Sequence, residues 1–279
     1  MKFLKKNWVT ILLTIIFAAG LCLLLYPTFA NWWNLNKGAV AVTRYSDEVK
    51  SLDTSEYDQL LNEAVDYNDR LGSFLNRFNQ TDEEHADYLN KLSVNGSDLM
   101  GSIQVPSVKI DLPIYHGTAE EVLQAGAGHL EGSSLPIGGT GTHTVITGHR
   151  GLPSAKLFTD LDQVVEGDYV ILKVLNETLT YQIDTIRIVL PEEVESLNID
   201  PEQDLCTLVT CTPYGVNTHR MLLTGHRVEN LKEWTAVADA HQVDAKMVAL
   251  FIAIPILILL FIVLMVRSRR PKGEPDEKA

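Results

Sequence analysis

The chain has 279 residues and a formal net charge of −13, with 36 acidic residues against 23 lysines and arginines. This acidity argues against nucleic acid as a partner, because phosphate recognition requires a basic surface. The length allows one sizeable hydrophobic core with an additional N-terminal region.

Two apolar segments flank the middle of the chain. Residues 8–26 and 248–266 carry no charge and are each about as long as a bilayer-spanning helix. Basic residues precede the first segment and follow the second, so the positive-inside rule places both termini in the cytoplasm. The sequence therefore predicts a multi-pass protein of the cell membrane that contacts membrane lipid. Residues 1–7 and the basic tail at 267–279 are cytoplasmic in this prediction, and the middle of the chain is extracellular.

The first apolar segment has an alternative interpretation as a cleaved signal peptide. Thr28-Phe-Ala30 would supply the small-residue cleavage site, and cleavage would leave the following residues on the same side of the membrane. Pro255 lies inside the second segment, where a transmembrane helix tolerates it better than a soluble helix does. Residues 231–247 are predicted to link this segment to the extracellular part.

The extracellular part divides into two regions of different composition. Residues 27–98 are mostly polar, with apolar residues near helical spacing, which predicts one or two amphipathic helices. These helices form either a stalk that packs on the main domain or a lid-like regulatory element. Residues 99–230 contain short β-type runs separated by Gly and Pro, which indicates a β-barrel or sandwich.

Cys211 ends one of these β-type runs and is the candidate nucleophile. The turn-forming residues 213–217 follow it, and a second apolar run begins near Arg220. A hairpin with this turn pairs Cys211 with Arg220. The guanidinium would stabilise the thiolate, and it could also stabilise negative charge on the oxygen of an attacked carbonyl.

The remaining extracellular cysteine, Cys206, is predicted to be a buried apolar residue. An extended strand separates it from Cys211 by about 16 Å and directs the two side chains to opposite faces, which excludes a disulfide. A zinc site formed with His219 and His226 would lack tetrahedral spacing. The acidic residues between 191 and 204 match no calcium loop and are interpreted as a solvated loop, so we predict no metal and no cofactor.

A cysteine nucleophile also needs a proton donor for the leaving amine, normally a histidine. His226 lies six residues beyond Arg220, about 20 Å away along an extended strand, and cannot serve the same thiol. His149 ends another apolar run at a loop bounded by glycines, where functional residues concentrate. Spacing alone leaves three further histidines as candidates, namely His116, His129 and His143.

The motif TLVTC, followed nine residues later by Arg220 and preceded upstream by TGHRGLP, resembles a sortase. More narrowly, it resembles the class C sortases that assemble pili. The likeness extends from Met100 to Arg227 and includes GSIQVP, LPIYHGT and GAGHLEGSSLPIGG. The resemblance implies an eight-stranded barrel, with Cys211 as nucleophile and His149 as general acid and base. Arg220 would hold the substrate carbonyl or its oxyanion.

The reaction implied by this resemblance is transpeptidation at an LPxTG-like sorting signal. The enzyme would cleave between Thr and Gly and transfer the acyl group to an amine. In class C sortases the amine is a pilin lysine, and in housekeeping sortases it belongs to a cell-wall precursor. A cysteine protease that hydrolyses the thioacyl intermediate and a non-enzymatic, membrane-tethered binding domain remain alternatives.

One feature of class C sortases is missing from the sequence. These enzymes commonly carry an Asp-Pro-aromatic anchor in an N-terminal lid, whereas here Asp82 is followed by Glu83. The sequence predicts a lid that is weaker, differently anchored or absent. Self-inhibition by residues 76–90 is a hypothesis at this stage.

Overall fold

The computed structural model describes residues 2–72, 77–230 and 252–258, together with residues 261 and 263. The described residues up to 230 form a β-barrel with helices before and between its strands. The helices are α1 (Lys2–Ser51), α2 (Thr54–Leu71), α3 (Asp82–Asn90) and α4 (Glu120–Ala125). The strands are β1 (Leu99–Val105), β2 (Ile110–His116), β3 (Ala127–His129), β4 (Thr142–Thr147), β5 (Tyr169–Val174), β6 (Glu177–Val189), β7 (Asp204–Thr212) and β8 (His219–Val228).

The eight strands close into a barrel in the order β1-β2-β3-β4-β7-β8-β6-β5. The pairs β2/β3 and β4/β7 are parallel, and the other neighbouring pairs are antiparallel. Closure leaves no free sheet edge, which removes a common route to aggregation. The mainly β, eight-stranded barrel with an N-terminal helical region is therefore confirmed.

Alternation along β7 separates the barrel interior from its outer face. Cys206 and Leu208 belong to the hydrophobic core, with relative exposures of 1% and 0%. Burial raises the pKa of the Cys206 thiol. Cys211 is an odd number of residues away and is half-buried on the outer face. The prediction that the two cysteines face opposite sides, with Cys206 in the core, is confirmed.

The helices α2 and α3 each begin at a local capping signal. Asp53 and Glu56 form a capping box at the start of α2, in which each side chain satisfies a backbone N–H group of the other residue. Thr81 and Glu84 form the same arrangement at the start of α3. Both helices bury a tyrosine, and these rings lie against each other with centroids 6.3 Å apart. Amphipathic helices in this region are thus found as the sequence predicts.

The long helix α1 contributes directly to the barrel core. Tyr45 and Val49 are buried in the same hydrophobic cluster as the strand residues. The Tyr45 hydroxyl donates to the carbonyl of Met100 at 2.7 Å and accepts from the N–H of Leu175 at 3.0 Å. Both partners lie where the strand ladders are interrupted, because β1 has a bulge at Met100 and β5 ends at Val174. Tyr45 therefore satisfies two backbone groups that the sheet leaves unpaired.

Among the described residues, one helix is long and apolar enough to cross a membrane, within Ile11–Ser51. It does not end where the first apolar segment ends, because α1 continues through Pro27 to Ser51. Residues 252–258 of the second predicted membrane segment are helical. The rest of that prediction falls mainly outside the described residues, as do the linker at 231–247 and the cytoplasmic tail at 267–279.

Candidate active site

Cys211 and Arg220 are direct partners across the β7/β8 hairpin. The turn-forming residues between the two strands set this register, as the sequence predicts. Val209 pairs with Leu222 one step earlier on the same face of the sheet. Directly opposite residues in an antiparallel pair have Cβ atoms about 5 Å apart. The Nη1 group of Arg220 donates to two backbone carbonyls at the end of the turn, at 3.1 and 3.2 Å. The cross-strand pairing predicted for Cys211 is confirmed.

His149 lies just beyond the end of β4, which runs parallel to β7. Thr147 is level with Val209, the last pair in the register, and Gly148 and His149 follow Thr147 directly. Two hydrogen bonds hold the chain beside β7 at this point. The N–H of Gly148 donates to the carbonyl of Val209 at 3.1 Å, and the Thr210 hydroxyl donates to the carbonyl of Gly148 at 2.8 Å.

The imidazole of His149 contacts a carboxylate from α4. Its Nε2 atom lies 3.2 Å from Oε2 of Glu120. The His149 side chain is 23% exposed and that of Glu120 is 62% exposed, so the contact lies at the mouth of the site. The pKa of Glu120 is lowered, first by a hydrogen bond from the Gln124 amide and then by the hydrogen bond and charge of His149.

The segment 149–158, here called the His149 loop, is closed on itself and fixed to the end of β7. The N–H of Phe158 donates to the carbonyl of His149 at 3.1 Å. The guanidinium of Arg150 donates to the Thr212 hydroxyl at 3.3 Å and forms an ion pair with Asp162. Arg150 therefore connects the loop that carries His149 to the strand that carries Cys211.

An apolar strip lies on the same outer face, next to the Cys211–Arg220 pair. It consists of Phe78, Leu130, Val145, Val189, Leu197, Val209 and Leu222. Phe78 belongs to the N-terminal region and packs on residues contributed by the strands. The preceding residue, Arg77, donates to the carbonyls of Gly132 at 3.2 Å and Leu197 at 2.8 Å. Arg77 also lies over the Phe78 ring, with its central carbon 4.4 Å from the ring centroid.

The other candidate histidines occupy structural positions. His116 and His129 are buried, with ring nitrogens bonded to backbone carbonyl oxygens. His143 bonds to a carbonyl and to a threonine hydroxyl. Burial lowers the pKa of His129 to about 4 and also lowers the pKa of His143. His226 pairs with Leu205 in the sheet and bonds to a carboxylate of β6.

Comparison with known proteins identifies the family. The sortase domain family matches residues 103–228. The crystal structure of sortase C1 from Streptococcus agalactiae is 48% identical, with a TM-score of 0.66, and the match covers 68% of this chain and 99% of that one. The chain belongs to the sortase family.

Further relatives of this sortase support a resemblance to class C. Sortase C1 of GBS pilus island 1 is 36% identical with a TM-score of 0.63, and the match covers 75% of this chain and 98% of that structure. Sortase A of Streptococcus agalactiae serotype III is 35% identical over 117 residues, or 41% of this chain and 47% of that protein. The match therefore spans about half the length of that curated relative.

Three residues near the site were not singled out by the sequence analysis. They are Glu120, which contacts His149, Arg150, which joins two elements of the site, and Phe78, which covers the apolar strip. The sequence signal for Arg150 was its place directly after His149. Glu120 is 29 residues before its partner, and no local pattern indicates the contact.

Proposed function

We propose that this sortase is a cysteine transpeptidase that cleaves an LPxTG-like sorting signal between Thr and Gly. Cys211 is the nucleophile in this proposal, His149 the general acid and base, and Arg220 the group that stabilises the oxyanion. The observation that carries the proposal is the register of three neighbouring strands. It pairs Cys211 with Arg220, and it pairs β4, which His149 follows after one intervening residue, with the strand that carries Cys211.

The first half of the reaction forms a thioester. The Cys211 thiolate attacks the carbonyl carbon of the substrate Thr, and the electron pair of the C=O bond moves to oxygen. Arg220 offers charged donors to this oxyanion, whose charge develops in the transition state. When the tetrahedral intermediate collapses, the bond between Thr and Gly breaks and protonated His149 gives its proton to the departing Gly amine.

The second half transfers the acyl group. Neutral His149 accepts a proton from an incoming amine, which attacks the thioester carbonyl, and the thiolate of Cys211 leaves. His149 and Cys211 thus return to their starting protonation states. With His149 Nε2 directed at Glu120, Nδ1 is the ring nitrogen on the opposite side and the one we assign to proton exchange.

The acceptor we propose is a lysine of a pilin subunit, and the product is an isopeptide-linked polymer. The similarity to sortase C1 enzymes supports this choice, including one that belongs to a pilus island. A cell-wall precursor amine is the acceptor of housekeeping sortases, and the protein would then attach surface proteins to the wall. Sortases are membrane-associated, and the apolar part of α1 is the element proposed to hold this chain at the extracellular face.

The deciding experiment incubates the full chain in detergent with an LPxTG peptide and measures a peptide adduct by intact mass. We expect an adduct on the wild type, none on Cys211→Ala, and greatly slowed formation in His149→Ala and Arg220→Ala. His226→Ala serves as a matched control, because this histidine lies at the far end of β8. Addition of a pilin-derived lysine peptide or a glycine-type amine then identifies the acceptor.

An adduct that persists in Cys211→Ala would exclude the proposed nucleophile. Absence of any adduct on the wild type, together with peptide binding that survives Cys211→Ala, would support the binding-domain alternative. Release of free acid as the only product, in the presence of both amines, would instead indicate a hydrolytic protease.

A further inference from the structure

The helix that carries the N-terminal apolar segment also contacts the His149 loop. The backbone N–H of Lys156 donates to Oδ1 of Asn31 at 2.7 Å. The Nδ2 group of Asn34 donates to the carbonyl of Ser154 at 3.0 Å. These partners are 125 and 120 residues apart in the sequence. Since Asn31 and Asn34 lie one helical turn apart, both side chains contact the loop from the same face of α1.

The backbone partners fix the orientation of both amides. A backbone N–H can only donate, so Asn31 must present its oxygen to Lys156. A carbonyl can only accept, so Asn34 must present its NH₂ group to Ser154. An aspartate could therefore replace Asn31 with its hydrogen bond intact. At Asn34 the same replacement would set a carboxylate against a carbonyl oxygen.

Ser154 and Lys156, the residues that α1 contacts, lie in a tightly packed part of the His149 loop. Ala155 and Leu157, on either side of Lys156, are buried. The Phe158 ring packs so closely on Gly148 that a Cβ atom there would lie 2.6 Å from it. Together with the hydrogen bond between Phe158 and the carbonyl of His149, this packing transmits the position of the loop to the imidazole.

The two asparagines lie at the level where α1 changes from apolar to polar. The aromatic side chains around them, Tyr26, Phe29, Trp32 and Trp33, are between 41% and 58% exposed. Exposed tyrosine and tryptophan at the end of an apolar helix are typical of the membrane–water interface. The helix continues from this level into the barrel core at Tyr45 without a break.

We propose that α1 is part of the catalytic scaffold as well as the anchor, and that Asn31 and Asn34 are positioning residues for His149. They act through the backbone of the His149 loop and do not contact the substrate. The inference rests on the proposed role of His149. Its consequence is that the anchor helix fixes the proton-transfer geometry at the membrane surface.

The test uses the full chain in lipid nanodiscs with three isosteric variants, Asn31→Asp, Asn34→Asp and Asn36→Asp. Asn36 is exposed on the same helix and serves as the matched control. Amide hydrogen exchange in the His149 loop is measured together with kcat and KM for acylation by an LPxTG peptide. We expect Asn36→Asp to behave like the wild type, and Asn31→Asp, which keeps its acceptor for the N–H of Lys156, to have a smaller effect than Asn34→Asp. In Asn34→Asp, loop exchange rises and kcat falls about tenfold with KM unchanged, because a small misplacement of a catalytic group slows the reaction.

Several outcomes would overturn the inference. One is equal loop exchange and equal kcat in Asn34→Asp and Asn36→Asp. Another is increased exchange throughout the barrel, which would show a purely structural role. Equal loss in Asn31→Asp and Asn34→Asp would show an effect of charge rather than of hydrogen-bond direction. If the wild type forms no adduct, the proposed function itself is contradicted. If the wild type is active and the Asn34→Asp variant is unaffected, only this inference is contradicted.

Discussion

Glu120 directs a carboxylate oxygen at the imidazole of His149, at 3.2 Å from Nε2. The pair joins the start of α4 to the end of β4 across the mouth of the site. A carboxylate in this position orients the ring, in the way that a third group supports a nucleophile and its base in other enzymes. Glu120 thus holds in place the imidazole that we propose as the general acid and base.

We expect Glu120→Gln to slow acylation by about two- to fivefold, the range of an exposed ion pair. The pKa of Glu120 is lowered in the folded protein, so its interactions exist above the ordinary pKa of glutamate and disappear as the pH falls through the folded value. The wild type and the variant should therefore converge at acidic pH. Initial acylation rates across a pH series would measure this. Glu121→Gln is the control, and an equal effect of both substitutions would contradict the prediction.

Phe78 covers the apolar strip beside Cys211, and Arg77 fixes it there through two backbone carbonyls. The described part of the lid-like region therefore packs on the outer strand face that also carries Cys211, without an Asp-Pro-aromatic anchor. If this cover limits access, the apparent reactivity of Cys211 is reduced by the closed fraction of the protein.

We expect Phe78→Ala and Arg77→Ala to accelerate both alkylation of Cys211 and acylation by about three- to tenfold. Rates of thiol labelling, followed by mass, give the first measurement without any substrate. Leu89→Ala is the control, because it truncates an exposed residue of α3. Unchanged labelling rates in both variants would show that residues 77–78 do not act as a lid.

Tyr45→Phe should lower the free energy of unfolding by about 1–3 kcal/mol, because it leaves two buried backbone groups without their partner. Burial raises the pKa of Tyr45 to about 12, first of all by desolvation. The stabilisation of the folded state by the Tyr45 hydroxyl is thus complete below pH 10 and is lost as the pH rises toward 12. Thermal unfolding at neutral and alkaline pH tests both statements. Tyr214→Phe, at an exposed position, should change neither.

The burial of His129 predicts that the protein loses stability in weak acid. Its pKa is lowered from 6.5 to about 4, mainly by burial. Below pH 6.5, His129 binds a proton in the unfolded chain but not in the folded protein. The free energy of unfolding therefore falls as the pH drops toward 4. We expect the decrease in Tm between pH 7 and pH 5 to be smaller in His129→Gln than in the wild type. An equal decrease in His129→Gln and in the wild type would contradict this explanation.

Local patterns in the sequence determined much of this protein. The β-type runs and their turns fixed the strands, and the turn after Cys211 fixed the partner of the thiol, because hairpin register follows from loop length. Capping boxes marked the starts of α2 and α3. The alternation of side chains along β7 separated Cys206 from Cys211. The motifs around Cys211, His149 and Arg220 indicated the sortase family.

Contacts between distant segments were decided only by the tertiary structure. Spacing left four histidines open. Barrel closure pairs β4 with β7 across about 60 residues of sequence, and His149 is the one of the four that lies just beyond the paired end of β4. The contacts of Glu120 with His149, of Phe78 with the apolar strip, and of Asn31 with Lys156 have no periodic signature. Periodicity reports which face of an element is buried, whereas the packing of the whole chain decides what covers that face.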